Sequence, residues 1–359
     1  MSKSGMTGRE RVKMALAHQP TDRIPMAMIC SGINEPARGA LEGYLRRERN
    51  TGVDEYLRRF IDVREVAPRY IGPTLADGED IWGVHRSWIS HGTGSYFEID
   101  RYPLAEARTK ADLDRHRWPS PDWFDYASLP RRIAAARADG DPALIVTNGN
   151  IFESGWYMRG FETTLGDLVE EPDLVHDLLD RVTGFYTEFF RRVLTAADGG
   201  IDLVFTADDI GGQRGLLISL KTWEEFIKPR HVKLNGVIHE FGAKVVYHSD
   251  GDVMDAVGGL VEMGIDVLQA LQFSAGKMDP GVLKAKWGDQ LCFEGGVSVQ
   301  TTLPFGSVDE VRCEVEHVVS VLGKGGGYIL GPSHVIQGET PPENIVAMFE
   351  TAANLGRLA

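Results

Sequence analysis

The chain has 359 residues, with 52 acidic groups against 38 basic and a formal net charge of −14. Its lysines and arginines are dispersed rather than clustered, which argues against a phosphate-backbone partner such as nucleic acid. No apolar run approaches the ~20 residues that span a bilayer. The first ten residues also lack the apolar core of a secretion signal. A cytoplasmic protein with neither a nucleic-acid nor a membrane partner is expected. The cysteines, Cys30, Cys292 and Cys313, are odd in number and scattered, which argues against a disulfide framework. Cys30 follows an apolar run, and its position suits either a strand mouth or a small buried hydrophobe.

Short apolar runs alternate with amphipathic helical patterns, which predicts parallel strands joined by crossover helices. The expected strands are 23–29, 60–66, 143–147, 202–206, 243–248, 266–272, 290–293 and 327–330. Eight is the number that closes a barrel, so residues 1–359 are expected to form one α/β domain, a (β/α)8 TIM barrel. Residues 71–126 break the alternation and hold four of the seven tryptophans, Trp82, Trp88, Trp118 and Trp123. They are expected to be a Trp-rich insertion after the second strand, with a small hairpin near 82–99 that serves as a lid or subunit contact.

Further along, Leu174, Val175, Leu178, Leu179, Val182, Phe185, Tyr186, Phe189, Phe190 and Val193 fall on one stripe of period 3.6, the pattern of a core-packed helix. Pro229 interrupts a helical pattern that begins near Thr222, so a break is expected there. Ser307 and Glu310 have the spacing of a capping box. Pro341 and Pro342 suit the first turn of a final helix.

The chemistry is expected at the strand ends, because barrel active sites sit at the C-terminal mouth. The run Val245-Val246-Tyr247 ends in His248-Ser249-Asp250-Gly251. Side chains alternate along a strand, so His248 and Asp250 would share a face. His334 follows the last strand in a similar position. Imidazole and carboxylate suit zinc and similar divalent ions, and a catalytic site keeps three protein ligands. His248, Asp250 and His334 are the expected metal ligands. Without metal, the same residues suit general acid–base work. Glu153, Asp208 and Glu294 are the expected catalytic residues. Asn148, Asn150, Asp209, Gln213, Gln272 and Gln337 are the expected substrate contacts. Asp208, Asp209 and Glu153 also suit helix capping. Gly211-Gly212 matches no dinucleotide fingerprint.

From about Asn148 onward the sequence resembles the uroporphyrinogen decarboxylase superfamily. The resemblance rests on residues 206–215, on the Pro229-containing helix, and on His248-Ser249-Asp250-Gly251. It extends to Gly295-Gly296-Val297, to Gly331-Pro332-Ser333-His334 and to Pro342-Glu343-Asn344-Ile345. It implies a (β/α)8 barrel in which residues 9–25 form an N-terminal arm. True decarboxylases of this superfamily bind substrate carboxylates through an arginine-bearing segment after the first strand. Here that place reads Met26-Ala27-Met28-Ile29-Cys30-Ser31-Gly32, without arginine. The other branch holds zinc methyltransferases with a His-x-Cys and a distant Cys. His248 matches the histidine, while Asp250 and His334 stand where the thiolates would be.

The resemblance therefore implies a metal-dependent methyltransferase. It would move a methyl group from a small O-, N- or S-methylated compound to a corrinoid protein or a thiol, with zinc as the divalent metal and the corrinoid carried by a partner protein. A homodimer is implied as well. The alternative is a metal-independent decarboxylase or lyase acting on a small carboxylic acid or a tetrapyrrole-like substrate. A ligand-binding barrel without chemistry is a third reading.

Overall fold

The computed structural model describes residues 5–29, 31–90 and 95–355; Cys30 lies outside them. Seven parallel strands form one curled sheet: β1 (Val63–Glu65), β2 (Ala143–Asn150), β3 (Leu203–Ala207), β4 (Lys244–His248), β5 (Val267–Gln269), β6 (Cys292–Val297) and β7 (Tyr328–Pro332), hydrogen-bonded in that order. Helices cross between successive strands, as parallel pairing requires. No helix is long and apolar enough to cross a membrane, among the described residues.

The expected strands 60–66 and 266–272 are shorter than expected, at Val63–Glu65 and Val267–Gln269, and the expected first strand falls shortest of all. Of residues 23–29, only Met26 forms β-bridges, to Ile61 on one side and to Leu330 in β7 on the other. The backbone bonds agree: Ala27 N–H donates to Leu330 O at 2.9 Å, Leu330 N–H to Pro25 O at 2.8 Å, and Asp62 N–H to Met26 O at 2.7 Å. Two features keep the strand short. Pro25 has no N–H to offer the ladder. Just before it, Arg23 is drawn to the Asp62 carboxylate at 2.7 Å. The segment still closes the ring, and the result is a TIM-barrel-like architecture.

The barrel interior is filled by apolar side chains. Ala27, Val63, Ile145, Phe205, Val246, Val267 and Ile329 pack in it. Val12 and Ala15, from the helix Gly8–Leu16, join the same cluster and plug the N-terminal end. That helix is pinned by two buried carboxylates. Asp62 holds Arg11 at 2.9 Å as well as Arg23, and Asp202 holds Arg9 at 2.9 Å and Arg137 at 3.0 Å. Fully buried charges are tolerated because each has several partners.

Outside the sheet, the expected helices form. All ten apolar residues of the predicted stripe are buried in the helix Pro172–Ala197. The break near Pro229 is real, and it falls at Ile227, between the helices Leu220–Phe226 and Lys228–Glu240. Ser307 and Glu310 form the capping box of the helix Val308–Leu322, and Pro342 opens the helix Pro342–Leu355. Within residues 71–126, His85–Ser90 pairs antiparallel with Ser95–Arg101, the hairpin expected near 82–99. Trp82 is buried against Phe185 and Tyr186 at ring-centroid distances of 5.1 and 5.5 Å.

Candidate active site at the barrel mouth

β4 is built from Val245, Val246 and Tyr247, which suit a strand covered on both faces. Its last residue, His248, is only 5% exposed. Beyond it the chain must turn sharply, and Gly251 does so at φ +80°. The turn lies backbone to backbone on the small hairpin Gly211–Leu216, with Asp252 N–H donating to Gly212 O at 2.8 Å. A Cβ on Gly251 would come within 2.7 Å of the Gly212 backbone, and one on Gly211 within 2.5 Å of Asp250 O. The Gly211-Gly212 pair therefore serves close backbone approach, consistent with its lack of a nucleotide fingerprint.

This turn brings the expected ligand set together. One ligand atom from each of His248, Asp250 and His334 lies within 4.8 Å of the other two. His248 Nε2 is 3.8 Å from Asp250 Oδ1, and His334 Nε2 is 3.6 Å from Asp250 Oδ2. A tetrahedral zinc with bonds near 2.0–2.1 Å would hold such atoms about 3.3 Å apart. Each histidine thus meets one of the two Asp250 oxygens, His248 facing Oδ1 and His334 facing Oδ2, within roughly half an ångström of that span. Asp209 Oδ1 stands 3.6 Å from the same His248 Nε2 and accepts the Asp250 N–H at 2.8 Å.

The tautomer of His248 follows from its neighbour. Gln269 Nε2 donates to the Ile29 carbonyl at 3.0 Å. A carbonyl only accepts, so this contact orients the amide, and Gln269 Oε1 faces His248 Nδ1 within hydrogen-bond reach. Nδ1 then carries a proton, and Nε2 is the ring atom that faces Asp209 and Asp250. Metal-binding histidines are commonly held by such a second hydrogen bond. The donor set therefore fits a divalent ion. Burial, helped by Asp209, pushes the Asp250 carboxyl above the ordinary 3.8, while His248 and His334 pull it back.

A second group adjoins the first. Asp208 is fully buried and accepts His231 Nε2 at 2.6 Å and the Glu153 N–H at 2.9 Å. It does cap a helix, but the one that follows β2 (Ile151–Arg159) rather than the next one in sequence. Glu153 Oε2 accepts Asn150 Nδ2 at 2.7 Å, and Oε1 accepts the Tyr157 hydroxyl at 2.7 Å. Burial, then Asp209 and Asp208, push the Glu153 pKa well above 4.5, against the pull of Tyr157 and Asn150. Glu153 is thus placed to hold a proton.

Two cavities open at the mouth. One, of about 490 Å³, is lined by Asp250, His334, Gln272 and Gln337. Gln272 Oε1 also accepts the Gly251 N–H at 3.0 Å, which steadies the turn. The other, also about 490 Å³, lies beneath the 71–126 segment and is lined in part by Asn148, Asn150 and Tyr157. Asn148 reaches it through a register shift between Val146 and Gly149, and holds φ +81°. Such bulges re-aim side chains beside active sites.

Two expected residues stand apart. Gln213 is exposed at the tip of the small hairpin. Glu294 is fully buried on β6, opposite Gln269 in the register; like Glu153 and Asp208 it lines neither cavity, and unlike them it has no hydrogen bond to another expected site residue among the described residues. Two residues not expected from sequence belong to the site. Tyr157 lies one helical turn from Glu153, a spacing that brings side chains together. His231 sits on the buried face of the helix Lys228–Glu240, alongside Leu234 and Ile238; a histidine on such a face was its only signal.

The uroporphyrinogen decarboxylase (URO-D) family model matches residues 92–355. Relatives named uroporphyrinogen decarboxylase from Pseudomonas fluorescens and Pseudomonas aeruginosa are 24% and 23% identical over 278 residues, 74% of this chain and 74% of each relative. Among solved structures, a methyltransferase from Methanosarcina mazei superposes with a TM-score of 0.67 at 18% identity, over 98% of this chain and 99% of that one. The last is a likeness of fold.

Proposed function

The chain belongs to the uroporphyrinogen decarboxylase family, and from that premise we propose that it is a metal-dependent methyltransferase. It takes a methyl group from a small O-, N- or S-methylated compound and passes it to a corrinoid protein or a thiol. The observation that supports this reading is the triangle His248–Asp250–His334, with Nδ1 of His248 held by Gln269 and its Nε2 facing Asp209 and Asp250. The solved structure it resembles in fold is itself named a methyltransferase.

His248, Asp250 and His334 would hold the ion, with zinc expected. A divalent ion there would supply Lewis acidity at the heteroatom that carries the methyl group. Every other part falls to the chain. Gln269 keeps His248 in its binding tautomer. Gln272 and Gln337 line the cavity beside the ligands. The methyl carbon leaves its heteroatom for the corrinoid cobalt(I) or the thiolate sulfur, and the heteroatom keeps the bonding pair. Glu153, kept protonated by burial and by Asp208 and Asp209, gives that heteroatom a proton. Asp208 and His231 are positioning residues, acting through the helix that carries Glu153.

One observation favours the second reading, a metal-independent decarboxylase. Glu153 is a neutral acid at a barrel mouth, suited to protonating a carbanion. Against it, Asp208, Asp209 and Asp250 crowd the same mouth, where a carboxylate substrate would be repelled. The test is methylcobalamin formation, followed by absorbance, from cob(I)alamin and a panel of methylated donors with zinc-loaded protein. Product that disappears in His248→Ala is expected. No product from any donor, with carbon dioxide released from carboxylic acids in the presence of chelator, would overturn the proposal.

A further inference from the structure

We infer that the cavity beneath the 71–126 segment binds a neutral, flat aromatic molecule and, resting on the methyl-transfer reading above, that the methyl donor is an aryl compound. The cavity's volume of about 490 Å³ is in the range of small-molecule sites. Its walls include Phe185, Tyr186 and Phe189 of the helix Pro172–Ala197, with Trp82 and Phe124 facing them. These rings already meet edge to face: Trp82 on Phe185 at 5.1 Å and Phe124 on Phe189 at 4.8 Å. Aromatic rings favour that arrangement, so a further ring finds partners there that an aliphatic ligand would not use as well.

Charge narrows the class. Arg86 is the one lining cation among the described residues, and it is committed to Asp80 at 2.6 Å. No lining cation is left to receive a carboxylate. Of the two lining carboxylates, Asp80 is neutralised by Arg86 and Glu65 accepts from Thr147 Oγ1 at 2.9 Å, while the Arg86 guanidinium lies 5.1 Å from the Tyr157 ring centroid and would repel a quaternary ammonium there. A neutral ligand remains. Asn150 lines the cavity, where its Nδ2 is committed to Glu153 at 2.7 Å and offers no positive charge.

The cavity also leads to the chemistry. Asn150 and Tyr157 line it, and both bond to Glu153. The Glu153 N–H donates to Asp208 Oδ1 at 2.9 Å, and the adjacent Asp209 places its Oδ1 3.6 Å from His248 Nε2. A ring seated among the aromatics would therefore lie beside Asn150 and Tyr157, the two residues that hold Glu153.

The experiment is calorimetric titration of the full chain, zinc-loaded and chelator-treated, with 2-methoxyphenol, benzoate, tetramethylammonium and methanol. Expected is one 2-methoxyphenol per chain, bound at least tenfold tighter than the other three and equally well without zinc. Leu75→Trp, which fills the cavity from its rim, should weaken binding at least tenfold with its melting temperature unchanged; Asn150→Leu provides a second variant. Absence of arene binding, preference for tetramethylammonium, or parent-like binding by both folded variants would overturn the inference. Arene binding without methylcobalamin would keep the cavity assignment and sink the methyl-transfer reading. Methylcobalamin from methanol without arene binding would do the reverse.

Discussion

Replacing Gln269 with Leu removes one side chain and unsettles two buried groups. The His248 Nδ1–H loses its acceptor, and the Ile29 carbonyl loses its donor. His248 and Ile29 are 5% and 4% exposed, so water cannot easily substitute. Each unsatisfied buried group costs about 1–3 kcal/mol, which puts the stability loss of the metal-free protein at roughly 2–6 kcal/mol. The imidazole also becomes free to carry its proton on Nε2, where it cannot bind metal. Loss of such an outer partner typically weakens metal affinity about 10–100-fold. Urea unfolding in the presence of chelator reads the first effect, and zinc titration against a competing chromophoric chelator reads the second. Zinc affinity within twofold of the parent, alongside its abolition in His248→Ala, would refute the tautomer argument.

Burial pushes the Glu294 pKa well above 4.5, so the folded chain favours the neutral acid. Its stabilising contribution is then complete below pH 4.5 and fades as pH rises through the raised folded value. Glu294→Gln should therefore melt close to the parent at pH 4. Above that, it should gain about 1.4 kcal/mol per pH unit until the folded value is passed. Parallel stability–pH curves for the two proteins would count against it. Gly251→Ala meets both a left-handed φ and backbone atoms at 2.7 Å. It should cost upwards of about 1–3 kcal/mol and loosen the Asp250 turn, lowering zinc affinity; a variant as stable and as zinc-avid as the parent would contradict the close packing.

The strands from Ala143 onward and the clustering of His248 with Asp250 were legible because each depends on local pattern. Apolar runs of strand length ended in polar residues, and His248 and Asp250 stood two apart. What escaped was set by partners distant in sequence. The 23–29 run has strand composition, yet its extent is decided by Pro25 and by the pull of Asp62 on Arg23. Asp208 could be suspected of capping, but the helix it caps begins more than fifty residues earlier, and its partner His231 lies on another helix. The stripe in Pro172–Ala197 correctly predicted burial. Period alone does not tell whether a buried ring faces protein or a cavity, so the aromatic pocket stayed hidden.

Closure of the ring through Met26 has a consequence for how the chain is made. Met26 is synthesised well before Leu330, to which one of its two bridges runs. Until β7 emerges, the growing sheet keeps an unpaired edge, and β-sheet edges recruit other chains. Nascent or truncated forms lacking the last strand should then be the aggregation-prone species, and dependence on chaperones should concentrate late in translation. The contact that completes the barrel is thus also the last to become available.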